Sequence, residues 1–258
     1  MAKNWYSAQN NEKKFWEDIY LKKDNKDLIY SKTNDDGWVG FAQEILFRHK
    51  IDIKDLNNKV ILDIGSGPGG LVLGLSLLKS KESLKFNKLI ALDPLMNFFK
   101  KEINLFSSID DEVELYEAKG ERIPLESNSI DYVFCTNVID HCEIPENVIS
   151  EAYRILKPNG LFCPSLHLVY NLWSPIKNYL KYIDKNHPFH FDKETILRML
   201  KKNFIKTDCT YNSKIIYDQP KFTFLNIFKS RNLLRGFKRF ASNYILFTSY
   251  FKCKKLSN

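Results

Sequence analysis

The chain has 258 residues, of which 44% are apolar and 14% aromatic, enough to bury the core of a single domain. No stretch reaches the roughly eighteen uninterrupted apolar residues of a membrane-spanning helix, and the polar, lysine-rich amino terminus lacks the apolar segment of a secretory signal. The five cysteines form no C-x-x-C pair, so we expect reduced thiols in or near the core. These features predict a cytoplasmic enzyme of one domain, residues 1–258.

The first part of the chain, residues 1–50, is predicted to be helical and contains many aromatic side chains, among them Trp16 and Trp38. A segment of this kind does not fit inside a parallel sheet. We expect it to form a lid over the mouth of the site. Alternatively, its aromatic side chains only cover the sheet.

From residue 58 onward, strand and helix patterns alternate, which predicts an α/β fold with a doubly wound, parallel sheet. In such sheets the ligand lies beyond the carboxyl ends of the strands. The predicted strands are 59–64, 88–93, 113–117, 131–136 and 160–168.

A glycine-dense turn, Gly65-Ser-Gly-Pro-Gly-Gly70, joins the first strand to an apolar helix. Glycine suits this turn because the backbone bends sharply and because no Cβ obstructs an approaching ligand. The spacing fits both G-x-G-x-x-G and the tighter G-x-G-x-G. Asp63, at the end of the strand, favours a cationic ligand group over a pyrophosphate, since its carboxylate repels phosphates and attracts an ammonium or a sulfonium. Alternatively, Asp63 caps the following turn or helix.

A second acid, Asp93, ends the next predicted strand. A carboxylate in this place can accept hydrogen bonds from both ribose hydroxyls, as it does in NAD-binding proteins. The alternative is a helix cap with Pro94 at the first helical position. Asp93 therefore supports the binding of a nucleoside but does not identify which cofactor contains it.

With these residues the chain resembles the class I S-adenosylmethionine-dependent methyltransferases, in particular the small-molecule, type 11-like group that reads D-x-G-x-G-x-G. Stretches 120–131, 131–141 and 152–160 match the family in the same order. The resemblance implies a Rossmann-like, seven-stranded, mostly parallel sheet with an antiparallel last strand, and S-adenosyl-L-methionine as cofactor. Lys119 replaces an acid that binds the adenine amino group in many relatives, so backbone groups next to it are expected to read the adenine edge. The positions implied for the cofactor are Asp63, Gly65, Ser66, Gly67, Gly69, Asp93, Pro94, Gly120, Glu121 and Asn137.

The acceptor side is predicted from the residues that follow the fourth and fifth strands. The resemblance places His141 where residues face the methyl group, and an imidazole there can take a proton from a hydroxyl nucleophile. Asp140 is expected to orient it or to contact the substrate. The alternative is that both cap the helix that begins around 145–146. His167, at the end of the fifth strand, is a further candidate for the substrate pocket.

Two histidines, His187 and His190, lie in a proline-containing loop before a helix predicted over 193–202. Their spacing invites a metal, but no carboxylate or cysteine completes a convincing ligand set, so we expect no metal site. We expect instead a substrate-side lid over 169–203, with His190 as a polar contact.

The net charge of +8 is concentrated at the carboxyl end. Residues 219–258 contain nine Lys and Arg and no acid, a charge of +9, which leaves −1 for residues 1–218. We expect a terminal hairpin within 204–258, with a basic insertion at 219–242. Apolar residues at helical spacing within this insertion either pack on the sheet or contact a membrane or lipid. In the second case the segment would lie peripherally on the inner membrane face or bind a lipid-linked acceptor, and binding to nucleic acid is less favoured.

These features predict methyl transfer from S-adenosyl-L-methionine, bound to the core 58–168, to a small polar acceptor such as a sugar or a lipid-linked hydroxyl. The fourth strand is not followed by N-P-P-[YF], which disfavours an exocyclic amine or amide acceptor. The alternatives are an RNA methyltransferase that uses the basic end and a protein that binds the cofactor without catalysis. No feature of the sequence assigns an oligomeric state.

Overall fold

The structure is a computed structural model that describes residues 2–20, 35–103, 113–183, 187–204, 206–211 and 245–257. The helices are α1 (Ala2–Tyr20), α2 (Asp35–His49), α3 (Gly70–Lys81), α4 (Met96–Phe98), α5 (Pro145–Ile155), α6 (Lys177–Ile183) and α7 (Lys193–Lys201). The strands are β1 (Val60–Ile64), β2 (Lys88–Asp93), β3 (Val113–Glu117), β4 (Ile130–Thr136), β5 (Leu156–Val169), β6 (Phe191–Asp192), β7 (Lys206–Tyr211) and β8 (Leu246–Lys254).

The strands form one sheet in the order β3-β2-β1-β4-β5-β8-β7, and β6 pairs with β5 beside this path. The first six strands pair in parallel, whereas β8 is antiparallel to both β5 and β7. The doubly wound fold and the antiparallel last strand are therefore confirmed. Within the described residues the main path has the predicted seven strands, and the two-residue β6 is an additional strand too short to leave a periodic pattern in the sequence.

Each face of the sheet carries its own apolar layer. Along β1, Leu62 and Ile64 belong to one buried cluster and Ile61 to the other, because successive side chains of a strand point to opposite faces. One cluster is completed by α5 and α7, and the other by α2 and α3. This three-layer packing fixes the carboxyl ends of β1, β2 and β4 along one edge of the sheet.

The predicted amino-terminal lid divides into two helices with different positions. Buried residues of α2, among them Ala42 and Ile45, pack on the sheet together with α3. The two helices approach closely, since a Cβ on Gly74 would lie 2.2 Å from the carbonyl oxygen of Trp38. Hence α2 mainly covers the sheet, with Phe41 next to Gly70 of the glycine turn, whereas α1 lies at the mouth of the site.

Two other sequence-based expectations can be compared with the described residues. Cys135, Cys142, Cys163 and Cys253 are buried, as predicted. No helix within the described ranges is long and apolar enough to cross a membrane. The predicted basic insertion, 219–242, lies outside the described residues.

Candidate functional site

The glycine turn after β1 has a backbone that other residues rarely adopt. Gly65, Gly67 and Gly69 have φ angles of +66°, +54° and +90°. A Cβ on Gly65 would lie 2.3 Å from a methyl carbon of Val138, which follows β4. The turn is therefore possible only with glycine, and it brings the backbone after β1 against the segment after β4.

Asp93 at the end of β2 holds the glycine turn in place. Its two carboxylate oxygens accept hydrogen bonds from the N–H groups of Gly67 (3.0 Å) and Leu95 (2.7 Å). Burial raises the pKa of Asp93 to about 6, with the two hydrogen bonds acting in the opposite direction and the charge of Glu12 adding to the rise. An ionised carboxylate has about four acceptor positions, so two remain for ribose hydroxyls.

Asp63 lies beside Asp93 at the neighbouring strand end. Burial, and then the charge of Asp93, raise the pKa of Asp63 well above its ordinary value. Two buried acids at adjacent strand ends are unfavourable unless a proton or a cationic ligand compensates their charge. The pair therefore fits a ligand that brings a positive centre, such as a sulfonium.

Four buried polar side-chain atoms at the same edge have no hydrogen-bond partner among the described residues. They are Ser66 Oγ, Thr136 Oγ1, Asn137 Oδ1 and Asp140 Oδ1. The backbone at Asn137 is left-handed, with φ at +56°, and its N–H donates to the carbonyl oxygen of Ser165. Because buried polar groups are normally hydrogen-bonded, these atoms indicate a place for a polar ligand. With the glycine turn and the two acids, they fit a nucleoside cofactor that carries a cation.

The predicted adenine side is formed after β3. A Cβ on Gly120 would lie 2.9 Å from a methyl carbon of Ile64, so this backbone packs closely on β1. The Glu121 carboxylate accepts a hydrogen bond from the N–H of Glu143 (2.7 Å). The side chain of Lys119 has other partners, since its Nζ lies 3.5 Å from the ring centre of Trp5 and 3.3 Å from a carboxylate oxygen of Glu143. Contact of Gly120 and Glu121 with adenine stays a prediction.

His141 and Asp140 belong to a short 3-10 turn, Ile139–His141, directly after β4. The helix α5 begins at Pro145, as predicted, but no side chain caps it at its N-cap residue. Instead, the carboxylate of Glu121 bonds the backbone that leads into the helix. The alternative role of His141 and Asp140 as helix caps is therefore not observed.

The structure brings His141 together with residues from distant parts of the chain. Its ring centre lies 4.4 Å from that of His187, and its Nδ1 lies 4.0 Å from a carboxylate oxygen of Glu12 in α1. His190 is next to this group, with its ring centre 6.3 Å from His187. His167 has a different environment, because its Nδ1 and the Thr248 hydroxyl are hydrogen-bonded across β5 and β8 (3.1 Å).

Glu12 was not singled out from the sequence. It also accepts a hydrogen bond from the indole N–H of Trp16 (2.8 Å), whose six-membered ring lies 3.6 Å from where a Cβ on Gly67 would be. These contacts place α1 over the carboxyl edge of the sheet. The i,i+4 spacing of Glu12 and Trp16 is the one local signal that pairs them.

Comparisons with known proteins agree with this geometry. Residues 62–163 match the protein-family model described as "Methyltransferase domain". A malonyl-[acyl-carrier protein] O-methyltransferase of Marinomonas sp. is 32% identical over 119 residues, which cover 46% of this chain and 42% of the relative. A ubiquinone/menaquinone biosynthesis C-methyltransferase of Rickettsia prowazekii is 34% identical over 118 residues, 43% of this chain and 45% of the relative. The matches thus span less than half the length of these two curated relatives.

The fold is also similar to that of solved structures. Phosphoethanolamine N-methyltransferase 2 of Haemonchus contortus, in complex with S-adenosyl-L-methionine, matches with a TM-score of 0.55 and 18% identity. The match covers 94% of this chain and 60% of that one. At this identity the similarity concerns the fold alone.

Proposed function

We propose that this chain, which belongs to the class I S-adenosylmethionine-dependent methyltransferases, binds S-adenosyl-L-methionine at the carboxyl ends of β1, β2 and β4 and transfers its methyl group to a small polar acceptor. The observation that carries the proposal is the buried pair Asp63 and Asp93 beside a glycine turn with left-handed backbone. This arrangement can bind a nucleoside, and its two buried acids are stabilised by a ligand that carries a positive charge.

The bound cofactor supplies an activated methyl group on a sulfonium centre. The residues of the chain bind and orient it. The Asp93 carboxylate has free acceptor positions for the ribose hydroxyls, Asp63 opposes the positive charge, and the glycine turn allows the ligand to approach the backbone. Trp16, which lies over Gly67, keeps water away from this edge.

His141 is the residue best placed to remove a proton from a hydroxyl acceptor. It lies in the turn that comes after β4, and its side chain is partly exposed, so an acceptor can reach it. The carboxylate of Glu12 lies 4.0 Å from His141 Nδ1, on the side of the ring where it can hold the imidazole in position. The similar relatives include both an O-methyltransferase and a C-methyltransferase, so they do not select one kind of acceptor atom. The proposal of a hydroxyl acceptor is therefore based on His141 and its neighbours.

Calorimetry with S-adenosylhomocysteine, the demethylated product, tests the cofactor site. We expect wild-type protein to bind one equivalent, and Asp63→Asn and Asp93→Asn to weaken binding. Asp131→Asn is the matched control, because Asp131 lies at the opposite end of its strand and pairs with Lys157. The proposal fails if the wild type does not bind, or if Asp131→Asn weakens binding as much as the other two substitutions.

Transfer of a labelled methyl group into a lysate tests the acceptor. The lysate is separated into lipid, RNA and soluble small-molecule pools, and we expect label in the lipid or small-molecule pool. His141→Ala should abolish transfer while product affinity and melting temperature stay near the wild-type values. Label in RNA would favour the alternative function, and binding without transfer into any pool would favour a protein that binds the cofactor without catalysis.

A further inference from the structure

A second cluster of ligand-forming side chains lies next to the cofactor site. We infer that Asp140, His141 and His187 bind one divalent transition-metal ion, with Zn²⁺ as the first candidate. This inference goes beyond the proposed function and does not depend on it, because the ion can be bound and measured without S-adenosyl-L-methionine. The proton-removing role proposed for His141 applies to the metal-free protein, since an imidazole nitrogen that binds an ion cannot also take a proton.

The geometry of the three residues fits a metal ion. One ligand atom from each of them lies within 4.8 Å of those from the other two. With bond lengths of about 2.1 Å, the ligand atoms around a tetrahedral Zn²⁺ are about 3.4 Å apart. Side-chain rotations that move the ligand atoms by about an ångström are therefore enough to bring them to the spacing required around an ion.

The backbone already holds the two segments together. The N–H of Phe189, two residues after His187, donates to the carbonyl oxygen of Asp140 (3.3 Å). The ring centres of His141 and His187 are 4.4 Å apart, with the planes inclined by 62°. Two imidazole rings at this inclination can direct one nitrogen each toward a common point.

The state of Asp140 is an independent indication of a ligand. The residue is only 3% exposed, and its Oδ1 accepts no hydrogen bond from any described residue. A buried carboxylate is unfavourable unless it is paired or binds a metal. With two imidazole rings beside it, a bound cation would supply the missing partner.

The ligand types point to a particular class of ion. Two histidines and one carboxylate form a three-residue set that leaves coordination positions open, and imidazole ligands suit Zn²⁺, Fe²⁺, Ni²⁺ and Cu²⁺ better than Mg²⁺ or Ca²⁺. A further carboxylate, Glu12, lies 4.0 Å from His141 Nδ1. It can complete the set or fix the orientation of the ring.

The test uses the full chain without an affinity tag, freed of metal with a chelator and dialysed. ZnCl₂ is titrated by calorimetry, and the bound ion is counted by elemental analysis; CoCl₂ gives an absorption spectrum that reports coordination. We expect one ion per chain. Asp140→Asn and His187→Gln should each weaken Zn²⁺ binding by at least about tenfold. Glu143→Gln is the matched control, because Glu143 is a carboxylate of the same segment that pairs with Lys119.

Three results would overturn the inference: no stoichiometric Zn²⁺ in the wild type, unchanged affinity in Asp140→Asn, or an equal loss in Glu143→Gln. Melting temperature and binding of S-adenosylhomocysteine are measured for each variant, so that a loss of metal is separated from a loss of fold. His187→Gln alters a loop and leaves β4 intact, which keeps the test valid if Asp140→Asn does not fold. Product binding without metal binding would refute this inference and leave the proposed function standing.

Discussion

Ionisation of Asp93 is expected to control how tightly the cofactor binds between pH 5 and pH 7. Burial raises the pKa of this carboxyl to about 6, and only the ionised form offers all of its acceptor positions to ribose hydroxyls. Affinity for S-adenosylhomocysteine should therefore follow the ionised fraction. The product is a suitable probe because it lacks the sulfonium charge and its amino group stays protonated in this range.

The size of the effect follows from the pKa. A group with a pKa of about 6 is about one tenth ionised at pH 5 and about nine tenths ionised at pH 7, so the dissociation constant should fall about tenfold across this range. The sign for stability is the opposite in the ligand-free protein. Since the folded pKa is raised above 3.8, the stabilising contribution is complete below pH 3.8 and is lost as the pH rises through about 6.

Calorimetric titrations at pH 5, 6 and 7 measure the dissociation constant, and thermal unfolding gives the stabilisation by the product at each pH. We expect this stabilisation to grow with pH. Asp93→Asn should bind weakly at every pH with a flat profile, since its amide does not titrate. A wild-type constant that does not change with pH would refute the reasoning, and so would the same slope in Asp93→Asn, which would assign the titration to another group.

Three further substitutions have defined outcomes. Glu12→Gln should shift the midpoint of the pH profile downward, because the charge of Glu12 raises the pKa of Asp93. Gly65→Ala should lower the free energy of unfolding by about 2–4 kcal/mol in urea titrations, because the new methyl would overlap a side chain at a left-handed position. Lys177→Met should lower it by about 1–3 kcal/mol, because Lys177 donates to the buried carboxylate of Asp192.

Each stability prediction has a matched control. Gly40→Ala adds the same methyl to α2 where no atom lies within 4 Å, so it should leave stability unchanged or raise it by up to about 1 kcal/mol. Lys201→Met removes a lysine from an exposed position of α7 and should change stability by less than about 0.5 kcal/mol. Equal losses in a variant and its control would contradict the structural reason given for that variant.

The fold, and the meeting of the strand ends assigned to the cofactor, could be predicted from the sequence because their signals are local. An apolar strand, a glycine turn and an acid at each strand end occupy short stretches, and the chain order of parallel strands brings those ends to one edge. The proximity of Asp63 and Asp93 could thus be predicted from the chain order of the strands alone. The bounds of β1 and β2 agree with the prediction to within one residue.

The surroundings of His141 could not be predicted in the same way because they are assembled from distant segments. Glu12 and His187 both come close to His141 because α1 and the loop before β6 pack over the end of β4. No periodic pattern encodes that packing. In the sequence, His187 and His190 have no carboxylate beside them to form a ligand set, whereas in the structure Asp140, from the turn after β4, lies close to His187.

The charge of the site limits the acceptor more strongly than the charge of the whole chain does. At pH 7 the mouth contains the mostly ionised Asp93 and the nearby Glu12, whereas the excess of lysine and arginine lies in residues 219–258. A negative group of an acceptor at about 8 Å from one such carboxylate loses about 2 kcal/mol at an effective dielectric constant of about 20, roughly thirtyfold in affinity. A neutral hydroxyl acceptor avoids this cost, and so does an anionic acceptor whose charge lies far from the methyl-receiving atom. A divalent ion at Asp140, His141 and His187 would offset the repulsion, so loading the metal site should selectively improve binding of acceptors that carry negative charge near the reacting oxygen.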